Sequence, residues 1–236
     1  MTPPKEEMLT RPAPTAWWSG VWRRLSYLTL LKAAGTTAFM WLFFWAYFSL
    51  LEHPQSRPFV MPRIWLDDWI GFRPWAYPIY LSLWVYVSLV PALIGNFRAL
   101  AWFGVWVSAL CLVCLGMFWL WPTQTPPSGV DWSLYPGMAL IKGVDAAGNA
   151  CPSLHVASAV FSACWMQRIL RQLESPAWTN ALNWVQCGAI VWSTIATLQH
   201  VALDAAAGIA MGLLFAVPSL AHIRQTGPLP HRSADR

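Results

Sequence analysis

Residues 99–121, ALAWFGVWVSALCLVCLGMFWLW, contain no charged side chain. A hydrocarbon core about 30 Å thick is crossed by about 20 apolar residues in a helix, so this run reads as a membrane span. Five further stretches read the same way: 27–51, 76–95, 152–170, 178–198 and 201–221. The first holds Lys32 near one end, where its amine can snorkel to the interface. The last two are interrupted by Ser193, Thr194, His200 and Asp204. Polar side chains are costly inside a membrane, so the interruption is itself a sign of function. The expected fold is all-α, a polytopic membrane helix bundle with six transmembrane helices. Residues 27–222 form its membrane domain, 1–26 a cytoplasmic tail and interfacial segment, and 223–236 a second cytoplasmic tail. Residues 1–16 and 223–236 read as disordered, and no internal repeat or second domain is found.

Composition narrows the function classes. With 57% hydrophobic and 11% charged residues and a mean hydropathy of +0.43, the chain is too apolar for a soluble domain of this size. The 18 tryptophans suit a protein that meets the membrane interface. A net charge of +5 comes without a basic run or RNA-binding motif, so nucleic acid is excluded as a partner. Cys111 and Cys114 form a CxxC inside an apolar run with no second ligand pair, which makes them packing thiols rather than a zinc or redox site. The first apolar run is too long for a signal-peptide core and reads as a retained anchor.

Six spans put both termini on one side, together with ten of the 15 basic residues; four, Arg57, Arg63, Arg73 and Lys142, fall on the other, and Lys32 lies within the membrane. By the positive-inside rule the termini are cytoplasmic and the protein is integral to the plasma (inner) membrane. His155 and His200 then both sit at the extracytoplasmic face. The outer connection 52–75 reads as interfacial. The outer connection 122–151 is too long for a mere connector and reads as a lid or substrate platform.

Two short stretches carry chemistry. In NACPSLHVA (149–157), Pro152 at the first helical position leaves the amides of Ser153, Leu154 and His155 unpaired at the positive end of the helix dipole. That is an anion site suited to phosphate, with a hydroxyl from Ser153 and a proton donor in His155. The plainer reading is a helix cap with an interfacial histidine. In HVALD (200–204), His200 and Asp204 share a helix face. A carboxylate on one ring nitrogen leaves the other as an aimed nucleophile. Ser193 lies seven residues earlier, and Ala205, Ala206, Ala207 and Gly208 are small enough to admit a neighbouring helix. The plainer reading here is a buried His–Asp pair that locks helices together. Combined, one histidine attacks phosphorus, the other protonates the departing oxygen, and amides with a lysine hold the phosphoryl oxygens. No metal-ligand spacing is present and no cofactor is expected.

These residues resemble the type-2 phosphatidic acid phosphatase superfamily, whose members carry PSxH and a later Ser-Arg-x5-His-x3-Asp. Pro152, Ser153 and His155 match the first, and Ser193, His200 and Asp204 the second. The closest resemblance is to the inositol phosphorylceramide synthase-like branch, through PSLHxA, Ser-Thr in place of Ser-Arg, Asp145, Asn149 and RPWAYPIYLSLWVY. It spans roughly residues 70 to 215. It implies that His200 is the nucleophile and becomes a phosphohistidine, Asp204 orients it, His155 is the general acid, and Ser153 binds a phosphoryl oxygen. Lys142, Ser193 and Asn149 complete the candidate substrate-binding set. The chain departs from the pattern in lacking Lys-x6-Arg-Pro, in having Thr194 for the arginine, and in having Val201 where the branch shows tyrosine. Charge neutralisation is left to Lys142, Arg73 or Arg63. The expected function is a lipid phosphatase or phosphotransferase acting on phospholipid or polyprenyl phosphates at the outer face. The alternative is a catalytically degenerate lipid-binding or assembly protein of the same fold. The sequence sets no oligomeric state.

Overall fold

The computed structural model describes residues 17–139 and 148–225. Lys142, Asp145 and the tails 1–16 and 226–236 lie outside the described residues. Among those described, the long elements are helices. α1 (Trp17–Ser26) is short and buries none of its residues. It turns at Leu28, whose φ of 51° is left-handed, into α2 (Thr29–Glu52). α3 (Trp65–Ile70) is an outer-loop helix, followed by a single 3-10 turn and α4 (Tyr77–Leu93). Then come α5 (Phe97–Leu120), α6 (Leu154–Gln172), α7 (Ala177–Ala196) and α8 (Ala202–Gln225). The six expected spans correspond to α2, α4, α5, α6, α7 and α8, with ends shifted by a few residues.

Among the described residues, four helices are long and apolar enough to cross a membrane: Thr29–Glu52, Pro74–Leu93, Phe97–Leu120 and Ala202–Ala221. α6 and α7, of 19 and 20 residues, are the more polar pair. α6 has no need of an apolar exterior, because it is the centre of the bundle. It packs against α4, α5, α7 and α8 and buries Val156, Ala157, Ala159, Val160, Phe161 and Trp165. Tryptophans ring both ends of the bundle. Trp18, Trp22 and Trp178 are exposed at the end holding α1, and Trp65, Trp69, Trp75 and Trp121 at the end holding the long loops, as expected of aromatic belts at two interfaces.

Two glycines decide how α6 meets α8. A Cβ on Gly208 would lie 2.5 Å from the Ser153 carbonyl oxygen, and one on Gly212 would lie 2.7 Å from that of Ala157. The backbones therefore touch, as small residues four apart permit. At the loop end, the strand pair Phe59–Val60 (β1) and Thr123–Gln124 (β2) runs parallel and ties the two outer connections together. Gln124 also bridges to Gly148.

Two local expectations are corrected. Pro152 does not open α6: Ser153 is its N-cap, accepting from the Val156 N–H at 3.3 Å, and the Ser153 N–H is spent on the Asp204 carbonyl at 3.0 Å. His200 is not on the last helix. It stands in the turn between α7 and α8, held by its own N–H on the Thr194 carbonyl at 3.1 Å, while Asp204 lies in the first turn of α8.

Candidate active site

The close approach of α6 and α8 brings the two sequence stretches together at the loop end. His155 Nδ1 lies 3.1 Å from His200 Nε2. His200 Nδ1 lies 3.0 Å from the Ala150 carbonyl oxygen, and His155 Nε2 lies 2.8 Å from the Tyr80 hydroxyl. One proton assignment satisfies all three contacts. A carbonyl only accepts, so His200 carries its proton on Nδ1 and keeps a lone pair on Nε2. His155 then donates from Nδ1 to that lone pair and accepts from Tyr80 on Nε2. His200 is buried, and its Nε2 lone pair is thereby fixed in direction.

Asp204 is fully buried. One of its carboxylate oxygens accepts the Val201 N–H at 3.0 Å and lies 3.6 Å from His200 Nδ1. That distance is too long for a hydrogen bond. Asp204 thus acts on His200 through its charge and through the turn, while a backbone carbonyl sets the tautomer. Burial, with the Asp204 carboxylate beside it, pushes the Cys151 thiol up to about 11, so a neutral thiol faces that carboxylate at pH 7.

A second carboxylate, absent from the sequence reading, braces the same turn. Asp67 of α3 is buried and accepts the Ala202 N–H at 2.7 Å and the Ile64 N–H at 2.8 Å. The Ala202 amide is one of the unpaired donors at the start of α8, where negative charge is favoured. Tyr80 was also missed. It stands in RPWAYPIYLSLWVY, and nothing in its spacing separates it from the other aromatics there.

The candidate substrate-binding residues fare differently from one another. Ser153 is buried at the helix mouth with its hydroxyl oxygen used as a cap. Ser193 is buried and donates to the Ile190 carbonyl at 2.7 Å, within its own helix. Asn149, at a left-handed φ of 51°, donates to the Tyr47 carbonyl at 3.2 Å and so faces α2. Of the loop arginines, Arg63 lines a small crevice with His200, Asp67 and Thr125, and pairs with Asp68 at 2.9 Å. Arg73 instead turns its Nε to the Ile70 carbonyl at 3.1 Å. Among the described residues no cluster of three or more His, Cys, Asp or Glu side chains could hold a metal ion.

The PAP2 superfamily profile matches residues 51–217, more than half of the chain, including Tyr80, His155, His200 and Asp204. The chain belongs to the PAP2 superfamily. No curated protein and no solved structure matches it. Membership and the apolar helices make it an integral membrane protein of lipid phosphatase-like type. PAP2 proteins are generally phosphoesterases, which fits an imidazole pair, one ring buried and one half-buried, at the mouth of a helix.

Proposed function

We propose that the chain is a lipid phosphatase or lipid phosphotransferase that works through a phosphohistidine on His200. The observation that carries this reading is the His155–His200 contact, with the His200 proton held on Nδ1 by Ala150. His200 Nε2 attacks phosphorus and a P–N bond forms. The P–O bond to the leaving alcohol breaks, and that oxygen takes a proton from His155, which enters the step as an imidazolium, having gained a proton with the substrate, and leaves it neutral. Water or a second alcohol then gives its proton back to His155 and displaces the phosphoryl group from nitrogen. Asp204, 3.6 Å from His200, stabilises the cationic ring during transfer. The Leu154 and His155 amides, the Ser153 hydroxyl proton and Arg63 receive the phosphoryl oxygens. A separation of 3.1 Å leaves no room for phosphorus between the two nitrogens, so substrate parts the rings as it binds.

The same reading puts six helices across the membrane, with the site at the extracytoplasmic end and both termini opposite. The tryptophan rings at the two ends of the bundle support it. Resemblance to the inositol phosphorylceramide synthase-like branch, with Thr194 at the arginine position, keeps transfer to an alcohol beside hydrolysis; the two differ only in which hydroxyl attacks the phosphohistidine.

The test uses the purified full-length protein with lipid phosphates labelled on phosphorus and a chelator present. The wild type forms an acid-labile, base-stable protein–phosphate adduct and releases label. His200→Ala forms none, and His155→Ala loses about 10²- to 10⁴-fold in kcat. Lipid binding by both proteins without turnover by either would replace the enzyme with a lipid-binding protein.

A further inference from the structure

A cavity of about 710 Å³ begins at His155 and runs down the bundle to Lys32. Its walls come from α2, α4, α5 and the first turns of α6. The α2 wall is lined by residues three and four apart along the helix, among them Lys32, Gly35, Phe39, Phe43 and Tyr47. From residue 32 to residue 48 the lining covers sixteen steps of about 1.5 Å, or about 24 Å, most of a hydrocarbon core. Between the His155 end and Lys32 the lining is almost wholly apolar.

The cavity exists because α2 stands off from the bundle. Of its 24 residues only Lys32 and Tyr47 are buried, one near each end. At the far end the Lys32 amine donates to the carbonyls of Arg24 at 2.7 Å and Ala92 at 2.8 Å, which are unpaired groups at the ends of α1 and α4. At the near end Asn149 holds the Tyr47 carbonyl. Between these pins Gly35 and, across the cavity on α5, Gly104 leave open space: a Cβ on either meets no atom within 4 Å. Packed interiors seldom keep such a void, because its walls forfeit their dispersion contacts.

We propose that this cavity holds one hydrocarbon chain of the phosphate ester, and that Lys32 is its floor, so that the protein selects substrates by chain length. The inference rests on the reading of His155 and His200 as the phosphoryl site. The phosphate lies at the histidines and the chain descends along α2. The Lys32 amine, bonded to two carbonyls, closes the bottom with a polar group that a methyl terminus cannot pass without breaking those hydrogen bonds. Gly35 and Gly104 set the bore.

The experiment measures kcat/KM for single-chain alkyl phosphates of increasing length, and inhibition by the matching alkylphosphonates, whose C–P bond cannot be hydrolysed. In the wild type both affinity and kcat/KM climb with each methylene and then break where the chain reaches Lys32. Gly35→Phe moves the break to shorter chains and lowers the long-to-short ratio by at least about tenfold. Gly104→Phe moves it further, and the shortest ester reports that each variant is folded. Identical length profiles in wild type and both variants would overturn the inference and leave the catalytic reading intact. Phosphonate affinity that shows the break, with no ester of any length turned over, would keep the chain site and sink the catalytic reading instead.

Discussion

α6 has two neighbours that meet it in opposite ways. Toward α8 the contact is dry and backbone-close, with Gly208 and Gly212 admitting no side chain at all. Toward α2 there is a cavity, and of the α2 residues only Lys32 and Tyr47 are buried. His155 stands on the seam between the two. The tight side supplies its partner His200, where an error of about 1 Å is expensive for chemistry. The loose side supplies room for something that is not protein. Rigidity and vacancy are divided between two faces of one helix.

Four substitutions break or sharpen that contrast. The largest effect is expected from Gly208→Ala. Its Cβ would press on the Ser153 carbonyl at 2.5 Å and on Val156 at 2.9 Å, so the helices must part. Destabilisation by about 1–3 kcal/mol or more and loss of over about 10²-fold in kcat should appear in thermal unfolding and turnover of the purified variant. Asp67→Asn comes next. It keeps the shape but surrenders one of two accepted N–H groups, and loosening the His200 turn should lower kcat by about 10- to 100-fold while the helices stay folded by circular dichroism. Lys32→Met acts on the loose side. It leaves the Arg24 and Ala92 carbonyls unpaired, at a cost of about 2–3 kcal/mol in stability against denaturant. The smallest change has the opposite sign. Gly104→Ala meets nothing within 4 Å and should stabilise by up to about 1 kcal/mol through helix propensity, visible as a higher Tm. Equal effects of alanine at Gly208 and Gly104 would erase the distinction between the two faces.

Much of this was legible from periodicity and run length. The helices were, because twenty apolar residues in a row admit few other readings. So was the convergence of PSLH and HVALD, because both fall at one end of the alternating spans. The closeness of α8 was readable from Gly208. What escaped has physical reasons. The Ala150 carbonyl that fixes the His200 tautomer is backbone, and backbone carries no sequence signature. Asp67 sits in an outer connection whose mixed charges read as an interface, and only tertiary docking buries it. Tyr80 is one aromatic among many. The expectation that Pro152 would start α6 followed a good local rule, but Ser153 makes the better cap. His200 was placed on a helix by its four-residue spacing to Asp204. A turn before the helix start preserves that proximity equally well, so spacing alone could not tell the two apart.

The hydrogen bond from Ala202 to Asp67 joins residues 135 apart in the chain. Contacts between such distant segments close late, after local helices have formed. A nascent chain that has made α2 through α6 already holds His155 and Asp67, yet His200 comes only with the turn after α7 and the Ala202 amide only with α8. Assembly therefore leaves the histidine pair and its brace to the end: the turn that carries His200 and the start of α8 arrive in succession. The His155–His200 contact is in that sense a mark of a completed bundle, and a chain that stops before the end of α7 lacks the pair altogether.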